Sequence, residues 1–101
     1  MIIYVDIDET ICEYPGGTRQ YHLAEPIHEN IDKVNRLYEE GNTIIYWTAR
    51  GSITRIDYEE LTKQQLRDWG VKYHDLRLNK PHYDLFICDK AANTGDYFGD
   101  E

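Results

Sequence analysis

At 101 residues the chain has room for one domain around one hydrophobic core and no second module. Its 41 % hydrophobic and 30 % charged residues are the balance of a soluble globular protein. Nineteen acids against eleven bases give a net charge of −8 with no Lys or Arg run, which argues against non-specific nucleic-acid binding. Ile2 to Val5 is an apolar, β-branched run that stops at Asp6, and predicts a strand buried on both faces. Residues 8 to 25 contain Pro15, Gly16 and Gly17 and predict a loop or short flap. Pro26 is placed to open a helix whose apolar face is Ile27, Ile31, Val34, Leu37 and Tyr38, with Gly41 ending it. Thr43 to Trp47 predicts a second buried strand that stops at Thr48. A second helix is expected from Asp57 to Trp69, with Tyr58, Leu61, Leu66 and Trp69 on its apolar side and Gly70 closing it. A short strand near Tyr73 to Leu78 and a buried strand over Asp84 to Cys88 follow, and the tail from Lys90 turns back onto the surface.

Strands alternating with amphipathic helices predict a three-layer α/β sandwich with a parallel Rossmann-like sheet, a single domain over residues 1–101. Ligands of such sheets bind beyond the carboxyl ends of the strands. Those ends carry Asp6-Ile7-Asp8, Thr48 and Asp89. Clustered carboxylates at the ends of buried strands repel one another and lose hydration, and a divalent cation such as Mg2+ is the natural compensation. A Thr hydroxyl and a Lys ammonium, here Thr48 and Lys80, can hold phosphoryl oxygens while a carboxylate attacks phosphorus. Cys88 lies in an apolar run, and two cysteines make no disulfide framework. No secretory leader or membrane-length segment is expected, so the reading is a cytoplasmic protein.

In order along the chain, Asp6-Ile7-Asp8-Glu9-Thr10, Ile44-Ile45-Tyr46-Trp47-Thr48, Lys80 and Leu85-Phe86-Ile87-Cys88-Asp89 resemble the four motifs of the haloacid dehalogenase superfamily of phosphatases. The resemblance spans residues 2 to about 93. Two positions depart from it: Glu9 stands where many relatives have glycine, and Cys88 where many have a second acid. The run Trp47-Thr48-Ala49-Arg50-Gly51-Ser52 and the Lys80-Pro81 pair look like small bacterial phosphatases of capsule or surface-sugar synthesis.

The resemblance implies an aspartyl-phosphate mechanism. Asp6 would be the nucleophile and Asp8 the general acid and base. Thr48, Ala49, Arg50 and Lys80 would bind phosphate or substrate, and Mg2+ would be held by Asp6, Asp8 (through its backbone carbonyl) and Asp89. Arg19 and His22 read either as solvated surface positions or as further substrate contacts, and Asn93 either as a plain helix residue or as a helper in the fourth motif. The chain leaves no room for a cap domain, so the site should be open, for a large phosphate ester or for cover by a second copy. Alternatives are a nucleotide or polynucleotide-end phosphatase, a response-regulator-like phosphoacceptor domain and an inactive metal-binding subunit.

Overall fold

Three parallel strands form the sheet that positions everything else: β1 (Ile2–Val5), β4 (Thr43–Trp47) and β5 (Asp75–Arg77), in the order β1-β4-β5. Between β1 and β4 the chain forms a two-stranded antiparallel ribbon, β2 (Cys12–Glu13) with β3 (Glu25–Pro26), and then helix α1 (His28–Glu39). Helix α2 (Glu59–Asp68) connects β4 to β5. This computed structural model describes residues 1–17, 19–52, 55–81, 90 and 92. The expected strand over residues 84–88, with Cys88, Asp89 and Asn93, lies outside the described residues.

Both crossovers step the same way along the sheet, so right-handed connections place α1 and α2 on one face. The packing agrees. Register alignment puts Ile3 beside Ile44, and Val5 beside Tyr46 and Leu76. These side chains join Ile31 and Val34 of α1 and Leu66 of α2 in one core, which Ile7, Ile11 and Cys12 close at the sheet's end. Each fully buried aliphatic side chain there contributes roughly 1.5–3 kcal/mol of transfer free energy.

The structure corrects three expectations. β1 is not covered on both faces: Ile2 is 67 % exposed and Tyr4 48 %. A four-residue β-branched run reads the same whether one face is covered or two. Tyr4 stays at the surface because its hydroxyl accepts a bond from Arg77 Nη1 at 2.8 Å. Nor does Pro26 open α1. It pairs with Cys12 in the ribbon, where its missing N–H costs little at an edge, and the helix begins two residues later. α2 starts at Glu59 rather than Asp57, whose carboxylate accepts the Glu59 amide at 2.9 Å.

Candidate active site

The carboxyl ends of β1 and β4 lie side by side because the strands are parallel and paired Val5 to Tyr46. Asp6 follows β1 and Thr48 follows β4. Lys80 arrives because the β4–β5 ladder continues past both strands: Thr48 N donates to Arg77 O at 2.9 Å and Lys80 N to Thr48 O at 3.0 Å. Asn79, just before it, takes a φ of 66°, a left-handed turn that Asn adopts more readily than most residues. Lys80 Nζ then lies 3.0 Å from Asp6 Oδ2 and 5.8 Å from the centre of the Trp47 ring.

These groups share an open cleft of about 280 Å3 lined by Asp6, Asp8, Arg19, Thr48, Arg50 and Lys80, with Tyr21, Ala49 and Pro81 completing its walls. The buried Thr48 hydroxyl accepts the Arg50 amide at 3.1 Å, which leaves its O–H available to donate into the cleft. Thus the predicted residues Asp6, Asp8, Thr48, Ala49, Arg50 and Lys80 come together. Arg19 lines the cleft as well. His22 is exposed in the short turn Tyr21–Leu23 and does not line it. Asp89 lies outside the described residues.

Asp8 is the most constrained group of the site. Its carboxylate accepts Arg50 Nη2 at 2.8 Å and Nε at 3.2 Å, the Tyr14 hydroxyl, and the Cys12 thiol at 3.5 Å. Burial pushes its carboxyl up, but the bonds and charge of Arg50, joined by Tyr14 and Cys12, outweigh that and hold it below the usual carboxylate range. The same contacts act on the partners. Burial and the Asp8 charge push the Cys12 thiol up to about 12, and burial with the Asp8 bond raises Tyr14. Both stay protonated near neutrality.

Arg50 is not an exposed substrate contact: its side chain is fully buried. Sequence reasoning did not find its other partners. Nη1 donates to Thr62 Oγ1 at 3.1 Å and to Gln65 Oε1 at 2.6 Å, and the guanidinium lies 4.8 Å from the centre of the Tyr21 ring. The signal available was two polar residues, Thr62 and Gln65, on the stripe of α2 that also carries Leu66 and Trp69. Buried polar groups there require a partner.

The charges also revise the reasoning toward a metal. Two unpaired acids at a strand end would demand a cation, yet Asp6 already faces Lys80 and Asp8 already faces Arg50. Among the described residues no group of three His, Cys, Asp or Glu is placed to hold a metal ion. What does suit a hard cation is an oxygen donor at the cleft: the Asp6 carboxylate, 46 % exposed and bound to Lys80 through Oδ2.

No family model matches the chain, and no curated protein matches it. A crystal structure of an MCSG target from Vibrio cholerae is similar over 99 % of this chain and 89 % of that one, with a TM-score of 0.84 and 22 % sequence identity. At that identity the likeness shows a shared α/β fold. No described helix is long and apolar enough to cross a membrane.

Proposed function

We propose that the chain is a Mg2+-dependent phosphohydrolase of haloacid dehalogenase type, acting on a phosphate monoester through an aspartyl-phosphate on Asp6. The observation that carries this reading is the meeting of Asp6, Lys80 and Thr48 in one open cleft, with Asp8 two residues on. A carboxylate, an ammonium and a hydroxyl on separate segments are the groups that phosphoryl transfer needs: a nucleophile and positive or protic contacts for the equatorial oxygens. A second observation supports it. Glu9 has a φ of 64°, so the turn after β1 takes a glycine-like conformation at the very position where that superfamily often has glycine. Among the described residues, the segment between β1 and β4 holds the ribbon, the short turn Tyr21–Leu23 and α1, and the segment between β4 and β5 holds α2, which supports a site without a cap domain. The run from Trp47 to Ser52 favours phosphosugars among the possible esters.

In this reading an Asp6 carboxylate oxygen bonds to phosphorus as the bond to the leaving oxygen breaks, and Asp8 supplies the proton that oxygen takes up. Water then attacks the aspartyl-phosphate, its proton passes to Asp8, and the Asp6–phosphate bond breaks to release inorganic phosphate. Bound Mg2+ would neutralise charge on the phosphoryl oxygens. The Asp6 carboxylate would be one ligand, and the Asp8 carbonyl and Asp89 belong to the proposed set. Thr48 and Lys80 orient the phosphoryl group for in-line attack. The Arg50 pair keeps Asp8 ionised at rest, which suits its base role; its acid role requires that it first take up a proton.

Phosphate release from an aryl phosphate tests the proposal. Activity is expected with Mg2+, to vanish in chelator, and to vanish in Asp6→Asn, whose amide is nearly isosteric but a poor nucleophile. Turnover retained in Asp6→Asn removes covalent catalysis at that residue, and full activity in chelator removes the metal. A phospho-form that persists for minutes without turnover would instead mark a phosphoacceptor domain.

A further inference from the structure

We infer that Arg50 is a positioning residue, and that Gln65 of α2 couples it to the flap so that Asp8 and the flap are set in place together. The inference rests on the proposed phosphohydrolase reading and changes the role of one of its residues. A guanidinium has five N–H donors and no acceptor. The protein provides partners for all of them: Nε bonds Asp8, Nη2 bonds Asp8 and reaches the Tyr14 hydroxyl at 3.5 Å, and Nη1 bonds Thr62 and Gln65. A substrate phosphate would have to displace one of these bonds at a fully buried group. Arg50 therefore fixes the rotamer of Asp8 from behind, while Lys80 and Thr48 face the substrate.

Gln65 extends this unit beyond the cleft. Its Oε1 accepts from Arg50 at 2.6 Å, and its Nε2 donates to the Tyr21 carbonyl, also at 2.6 Å. One amide therefore ties the buried arginine to the backbone of the flap, described over residues 14–17 and 19–24. The flap is fastened at three more places. The Tyr14 hydroxyl bonds Asp8, the Tyr21 ring lies on the Arg50 guanidinium, and Tyr21 packs edge-on against Tyr58 beside the start of α2, with ring centres 4.8 Å apart. Gln65 is buried and does not line the cleft, so it acts through Arg50 and Tyr21.

Four variants separate the links. Gln65→Leu removes both amide bonds. Gln65→Glu keeps an acceptor for Arg50 and loses the donor to Tyr21. Thr62→Val removes one Arg50 bond at nearly constant volume. Arg50→Lys cannot make the fork to Asp8. Each is measured for kcat and KM on an aryl phosphate, and for amide hydrogen exchange across residues 19–24. Gln65→Leu and Arg50→Lys should lose at least tenfold in kcat with KM within threefold of wild type. Gln65→Leu and Gln65→Glu should both speed flap exchange at least tenfold, with Gln65→Glu retaining more kcat. Thr62→Val should lose kcat less than Arg50→Lys does. A rise in KM at constant kcat in Arg50→Lys would make Arg50 a substrate ligand and overturn the assignment. Unchanged flap exchange in both Gln65 variants would overturn the coupling. If wild-type protein releases no phosphate, the phosphohydrolase reading fails, and exchange still decides the coupling.

Discussion

Lys80 is the residue at which function and stability separate most cleanly. Its side chain is 18 % exposed and that of its partner Asp6 46 %, so water screens the pair and its share of folding stability is at most about 1 kcal/mol. Under the proposed phosphohydrolase reading its share of transition-state stabilisation is larger, because a phosphoryl group placed between Lys80 and Thr48 would gain charge-assisted contacts. Lys80→Ala should therefore lower kcat/KM at least tenfold, on the order of 1.4 kcal/mol. The thermal midpoint should hardly move. Lys80→Arg should recover little, since a planar fork does not replace a compact ammonium. Lys90, exposed at the surface, is the control expected to tolerate alanine. Near-native efficiency in Lys80→Ala would remove Lys80 from the site. Asp6, Asp8 and Thr48 were legible in the sequence because each follows a strand whose apolar run marks it, and Lys80 by its place in the order of motifs, since β5 before it is only Asp75–Arg77. Tyr14, Tyr21, Thr62 and Gln65 were not. They are partners of Arg50 through tertiary contact alone, 12 to 36 positions away for Thr62, Gln65 and Tyr14, and no spacing rule links residues across such distances.

Among the elements, the two tight turns that carry the site both need a left-handed residue and fill that position differently. After β4 the chain turns through Thr48, Ala49 and Arg50 into Gly51, which has a φ of 80°. A Cβ there would lie 2.2 Å from the Ile56 carbonyl oxygen, a backbone atom that cannot swing aside. Gly51→Ala should destabilise the fold by about 2 kcal/mol or more, combining left-handed strain with that collision. It should also cost activity by shifting Arg50. After β1, Glu9 takes a φ of 64° inside a turn closed by Thr10 N and Ile11 N, both donating to Ile7 O. Glu9→Gly relieves strain of the same kind while adding freedom to the unfolded chain, so its stability should stay within about 1 kcal/mol of wild type. Denaturant midpoints of the two variants check the contrast; similar large losses in both would mean that the Glu9 side chain matters more than its backbone. The helices were legible because their apolar periodicity spans several turns, and β4 because it is a continuous apolar run between Gly41 and Thr48. β1 and Pro26 misled for a related reason: four residues do not distinguish one covered face from two, and a proline suits a helix start and an edge strand equally.

For the whole molecule, charge sets a competition that distance decides. The chain carries a net −8, yet among the described residues its cleft is lined by three cations, Arg19, Arg50 and Lys80, against two carboxylates, Asp6 and Asp8. A dianionic phosphate ester approaching from solvent meets the repulsion of the whole surface before the local attraction of the cleft. The molecule measures 35 × 32 × 27 Å. At about 0.01 M salt the screening length is roughly 30 Å, so nearly every surface charge acts on the incoming anion. At about 0.15 M it is roughly 8 Å, and only groups lining the cleft act. Added salt should therefore help: at fixed free Mg2+, kcat/KM for a small dianionic ester should rise by about twofold or more between these conditions. An oligonucleotide bearing a terminal phosphate carries more charge along its length and should gain more steeply over the same range. The gain should appear in kcat/KM and not in kcat, because encounter precedes chemistry. A steady fall of kcat/KM with salt for the small ester would mean that the cleft cations dominate even at long range. In that case the acidic surface is no barrier to anionic substrates, and the charge argument against polynucleotide ends is lost.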